Sequence, residues 1–137
     1  MHEVVLPEGW PRPKGYANAI LARPGRVLFL AGQVGWDPLT ECFSSDRIAP
    51  QFEQALKNIL ALVKAAGGKP EDICKITAFC CDRDAYLAAR SDLGRIWKEQ
   101  MGQHYPCMSM IFVSDLLDRP GKIELEATAV IPDQGEK

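Results

Sequence analysis

Histidine is almost absent from this chain: His2 and His104 are the only two among 137 residues. With no CxxC and no HxxxH spacing, a dedicated zinc or iron site has too few ligands to build on, and no metal is expected. The five cysteines, Cys42, Cys74, Cys80, Cys81 and Cys107, are odd in number and unpaired in spacing. That excludes a disulfide framework and suits thiols kept reduced in a cytoplasmic compartment. No apolar run approaches the ~18 residues of a membrane span. The opening stretch "MHEVVLPEGWPRPKGY" also lacks a basic leader followed by an apolar segment, so a cytoplasmic protein with no membrane partner is expected. Basic blocks are missing as well. Sixteen Lys plus Arg are scattered among eighteen Asp plus Glu, for a net charge of −2, which leaves nucleic acid little electrostatic reason to bind.

What is present is the composition of one globular domain over residues 1–137, with 47% hydrophobic and 25% charged residues. A chain of this size buries only about 65–70% of its unfolded surface, so self-association would add to its stability. "YANAILARPGRVLFLAGQVGW" reads as two apolar runs around Arg23-Pro24-Gly25-Arg26, a β-hairpin with its turn. "DPLTECFSSDRIAP" is a loop. From Pro50, the residues Phe52, Leu56, Ile59, Leu60 and Val63 recur on one helical face, and Gly67-Gly68 supplies the stop. "DICKITAFCCD" alternates as a strand, with Cys74, Ile76, Ala78 and Cys80 on its more apolar side. A second helix, capped by Asp82 or Asp84, runs to about Met101 with Gly102 beyond it. Two more strands, "YPCMSMIFVS" and "KIELEATAVI", are joined by "DRPG". The tail "PDQGEK" is too polar to pack. The pattern predicts an α+β fold whose two helices cover one face of a mixed, five- to six-stranded sheet. Its other face, carrying Glu124, Glu126 and Thr128, is better buried in an oligomer than left in water.

Few residues stand out chemically. Arg90 falls on the stripe of Tyr86, Leu93, Trp97 and Met101. Either its stem packs and its guanidinium pairs with Asp84 or Glu53, or it anchors a carboxylate. Glu124 and Glu126, about 7 Å apart on one strand face, are either solvated or a source of a general base. "LAGQVGW" places Gly32 and Gly35 where a backbone or ligand approaches closely, or where a strand bulges. Tyr16 stands at the mouth of the first strand, where its phenol donates to a ligand or caps the sheet. Cys107 has no neighbouring base, and a Cys–His pair with His104 would need the chain to fold back.

In order, "KGYANAI", "LFLAGQV", "QFEQALKNILALVKAAGGKPEDICKITAFCCD", "HYP" and "GKIELEATAVIP" resemble the Rid family, also called YjgF or L-PSP proteins. The similarity runs from about Lys14 to Pro132. It implies a chorismate-mutase-like α+β fold, a homotrimer around a central barrel, and ligand clefts between subunits. The implied activity is hydrolysis of 2-imino acids or their enamine tautomers to 2-oxo acids and ammonia, without a cofactor. By the resemblance, Glu124 orients the attacking water, and the tyrosine of the first strand is Tyr16. The arginine expected two residues after the proline of "YP" is replaced by Met108, and a serine before the "GQ" pair by Ala31. The chain therefore resembles a subgroup without the deaminase arginine. Met108, with Met110 two residues on, is expected to line an apolar pocket with Trp36. Arg90 is expected to restore the charge, while backbone around Gly32 and Cys107 holds the substrate. Two other roles follow the hydrolase in order: a non-catalytic small-molecule-binding trimer, and the ribonuclease or translation inhibitor described for some relatives.

Overall fold

The computed structural model describes residues 1–133. Of the polar tail, residues 134–137 lie outside the described residues, and Pro132 closes the last strand. Strand β1 (Glu3–Val5) pairs antiparallel with β2 (Ala19–Leu21) in a ribbon of its own. The long strand β3 (Gly25–Val34) is followed by a second small ribbon, β4 (Trp36–Asp37) and β5 (Cys42–Phe43). Helix α1 (Ile48–Ala65) comes next, then a 3-10 turn at Pro70–Asp72 and strand β6 (Ile73–Cys80). Helices α2 (Arg83–Ala88) and α3 (Arg90–Met101) precede β7 (Cys107–Phe112) and β8 (Ile123–Pro132). The central sheet is mixed and runs β3-β8-β6-β7, with only the β6–β7 pair parallel.

Three expectations change. Residues Arg23 to Arg26 do not turn a hairpin: β2 joins β1, and β3 takes β8 as its partner, Phe29 opposite Thr128. The central sheet has four strands rather than five or six, because the short N-terminal and loop strands pair among themselves. The second helix is two helices, interrupted at Ala89 (φ −96°, ψ 1°), whose N–H is shared between the carbonyls of Ala85 and Tyr86. Of the two candidate caps, Asp82 is the one used, its carboxylate accepting from the Ala85 N–H at 3.0 Å. Helix α1 begins two residues before Pro50, which sits in the first turn where a missing N–H costs nothing. It ends where Gly67 turns to φ +85° and the Gly68 N–H reaches back to the Val63 carbonyl.

The core lies between α1, α3 and one sheet face. Leu56, Ile59 and Val63 of α1 meet Ile76, Ala78 and Cys80 of β6 and Leu125, Ala127 and Ala129 of β8. A buried side chain of the Leu or Ile kind contributes about 1.5–3 kcal/mol, so this face holds the fold together. Two buried polar side chains of α1 tie down flanking loops. Gln51 donates to the carbonyls of Ser45 (2.9 Å) and Pro120 (3.2 Å) and accepts from the Lys122 N–H (2.7 Å). Asn58 donates to the Val34 (3.4 Å) and Trp36 (3.0 Å) carbonyls. The glycine at 35 lets α1 come this close, since a Cβ there would lie 2.4 Å from the Gln51 Cα. Among the described residues, no helix is long and apolar enough to cross a membrane.

Candidate functional site

Strand register divides the residues of interest between two sides of the sheet. Met108 and Met110 stand beside Ile76 and Ala78, and these beside Ala127 and Leu125, so both methionines belong to the helix-covered side. Glu124, Phe79 and Ile111 form a row on the opposite side. Further rows there are Glu126, Thr77 and Ser109, then Thr128, Lys75 and Cys107.

On the helix side, α3 packs against α1 and stands off from β7. The gap is a cavity of about 510 Å³. Phe52, Leu93 and Trp97 form its buried floor, and Met108, Met110 and Tyr105 its walls. Trp97 is fixed by donating its indole N–H to the His104 carbonyl (3.0 Å) and by stacking on Tyr105 at 6.1 Å. Tyr16, Lys14, Arg90 and Lys98 stand exposed at the rim. Arg90 therefore reaches neither Asp84 nor Glu53, and among the described residues it makes no ion pair.

On the other side, β3 bulges between Leu30 and Gln33, which takes Ala31 and Gly32 out of the ladder. The half-buried Glu124 carboxylate fills the space a side chain at position 32 would need: a Cβ there would come within 1.9 Å of Oε2. Among the described residues no donor or cation meets that carboxylate. Burial pushes its pKa above the ordinary carboxylate range, and the nearby charges of Asp118 and Glu126 push the same way. Such a group is suited to take or return a proton closer to neutrality.

Cys107 is not beside Gly32. It is four residues and two strands from the Glu124 row, about 16 Å by strand spacing. Trp36 is absent from the Met108 cavity and packs on Phe43 at 5.8 Å within the β4–β5 ribbon. Lys75 donates to the Ser109 hydroxyl at 3.1 Å. Both histidines have structural roles: His104 bonds the Ile73 carbonyl (2.8 Å) and His2 the Val130 carbonyl (2.7 Å).

The family model described as Endoribonuclease L-PSP matches residues 11–131. The chain belongs to this family, the Rid proteins. A RutC family protein of Pyrococcus horikoshii is 35% identical over 130 residues, 94% of this chain and 98% of the relative. The human 2-iminobutanoate/2-iminopropanoate deaminase is 29% identical over 115 residues, 84% of this chain and 79% of that protein. Among solved structures, the Rid family protein YyfB of Yersinia pestis, described as of unknown function, superposes with a TM-score of 0.82 at 29% identity. It covers 95% of this chain, and 98% of that chain is matched.

For a Rid protein, sequence reasoning had missed the cavity residues Lys14, Lys98, Tyr86 and Tyr105 and the buried Gln51. Tyr105 was within view, since an aromatic just before a strand and seven or eight residues after a helical tryptophan is placed to fold back on it. Nothing in the composition around Gln51 marked it as buried.

Proposed function

We propose that this protein hydrolyses the C=N bond of a 2-imino acid, or of the related enamine, to a 2-oxo acid and ammonia at a cleft between two copies of the chain. The observation that carries the reading is the carboxylate of Glu124, half-buried, without a partner among the described residues and set against the side-chain-free Gly32. Within one chain it faces away from the cavity of Arg90, Tyr16, Met108 and Met110. A complete site therefore needs Ala31, Gly32 and Glu124 of one copy beside the cavity of another. The open sheet face supports such an assembly, because Phe29 is 81% and Val27 54% exposed there. We take the assembly to be a homotrimer in the cytoplasm. The human relative's name supports the reaction class.

In this mechanism, Glu124 accepts a hydrogen bond from a water and takes its proton as the oxygen attacks the imine carbon. The C=N electron pair moves to nitrogen, which takes a proton from solvent water. Glu124 then returns its proton to that nitrogen; the C–N bond of the tetrahedral carbinolamine breaks with release of ammonia, and the hydroxyl proton passes back to solvent as the C=O forms. No redox or group-transfer partner is consumed, so no cofactor is needed.

The test is ammonia release from freshly generated imino acids at equal concentrations of assembled protein. Glu124→Gln keeps shape and assembly and should lose about 10²–10⁴-fold in rate. Equal rates for the two proteins would sink the reading. The second reading, a non-catalytic binding trimer, is favoured by the neutral Met108 where the resemblance places arginine; it predicts ligand binding with no acceleration by either protein.

A further inference from the structure

We infer that the substrate carries a bulky apolar side chain, aromatic or branched, which lies over Met108, Met110 and Trp97 while Arg90 holds its carboxylate. The inference rests on the imine-hydrolase reading and narrows its substrate class.

Charge comes first. The cavity rim carries Lys14, Arg90 and Lys98, and among the described residues no Asp or Glu lines the cavity. Among the described residues none of the three cations has an ion-pair partner, whereas Arg95, on another face of α3, takes both Asp92 and Glu99. Cations left uncompensated at a concave mouth draw in an anion. Of the three, arginine presents the planar fork that a carboxylate matches. The charge missing from β7 at Met108 is thus supplied from across the cavity.

Shape comes second. Arg90 and Trp97 are seven residues apart on one helix, so the guanidinium's root and the apolar floor are separated by about 10 Å along its axis. A carboxylate at the rim with a side chain of one or two carbons would leave the floor empty. The volume of about 510 Å³ falls in the range of sites for ligands of drug size, roughly 300–1,000 Å³. Tyr105, held parallel to the buried Trp97 ring at 13°, is a rigid aromatic wall, and the thioethers of Met108 and Met110 adapt to what lies against it. Gly94 stands between Arg90 and Lys98 in the same helical row and lines the cavity, and a Cβ there would meet nothing within 4 Å. Glycine is unfavourable inside a helix; here it keeps the path from rim to floor clear.

Calorimetric titration of the assembled protein with phenylpyruvate and with pyruvate, the 2-oxo acids that the proposed reaction would yield, tests this without requiring turnover. Phenylpyruvate should bind at least about tenfold more tightly than pyruvate. Arg90→Gln should weaken both by about tenfold or more, with partial recovery in Arg90→Lys. Gly94→Leu should weaken phenylpyruvate binding more than pyruvate binding and so reduce the preference. Equal affinities, or an Arg90→Gln protein that binds as the wild type does, would overturn the assignment. Hydrolysis of imines derived from phenylalanine and alanine is measured alongside. Preferential binding without hydrolysis upholds the ligand class and refutes the hydrolase; hydrolysis of the small imine alone, indifferent to Arg90→Gln, refutes the ligand class and keeps the hydrolase.

Discussion

Along β8, Ile123, Leu125, Ala127, Ala129 and Ile131 are buried under the helices, while Glu124, Glu126, Thr128 and Val130 face the other way. Across the sheet the contrast continues. The covered side is closed by aliphatic contacts around α1, and the open side mixes Phe29 and Ile111 with Lys75, Thr77 and two carboxylates. A surface so divided between apolar and ionisable groups is poorly served by water and poorly served by a core. It suits contact with another folded surface, in which the apolar residues are covered and the carboxylate stays beside a cleft. Aliphatic packing is thus concentrated on one side of the sheet, and the sheet's own ionisable side chains on the other.

The sharpest way to break this contrast is to place one methyl group on each side. Gly35→Ala sets a carbon against the backbone of α1, which cannot give way, and should destabilise the fold by about 1–3 kcal/mol or more in chemical denaturation. At Gly32→Ala the three atoms nearest the new carbon all belong to the flexible side chain of Glu124. This variant should melt close to the wild type yet lose much of the ammonia-releasing rate by displacing the carboxylate. A smaller and more local change, Phe29→Asp, puts a charge in the middle of the open face. Light scattering after size exclusion should then show monomers that remain folded by circular dichroism; an unchanged assembly would show that this face is not the contact.

The smallest effect concerns pH. Because the folded protein holds the Glu124 pKa above its unfolded value, the group's contribution to stability is complete below the ordinary carboxylate range. It is lost as the pH rises through the raised value. Glu124→Gln removes the ionised carboxylate beside Asp118 and Glu126, so its melting temperature should exceed that of the wild type at pH 7 and match it at pH 3. A mutant less stable at pH 7 would mean that the carboxylate has a stabilising partner in the assembly.

How much of this was visible in the sequence depends on whether the deciding contact was local. The periodicity of Phe52, Leu56, Ile59 and Val63 and the alternation of Ile123 to Ala129 are local patterns, and both elements lie where those patterns place them. The Arg23–Arg26 turn has the right residues for a hairpin, but β3 finds its partner a hundred residues on, which no nearby residue announces. The interruption at Ala89 has neither glycine nor proline to mark it. For the site, residue types were legible and their grouping was not. That Met108 and Glu124 face opposite sides follows from the pairing of three strands, and the placing of Arg90 at the cavity rim follows from α3 standing off from β7.

The order β3-β8-β6-β7 places β8, the most C-terminal strand of the described residues, in the interior of the sheet, between two strands made earlier. Until it emerges from the ribosome, β3 and β6 have no common neighbour, and the apolar side of α1 has only part of the surface it will cover. Sequence-distant pairing of this kind raises contact order and slows folding. The nascent chain is thereby committed to a late, all-or-none closure, with its unpaired strand edges exposed to aggregation in the interval. Loss of even half of β8 would then leave no smaller folded protein behind.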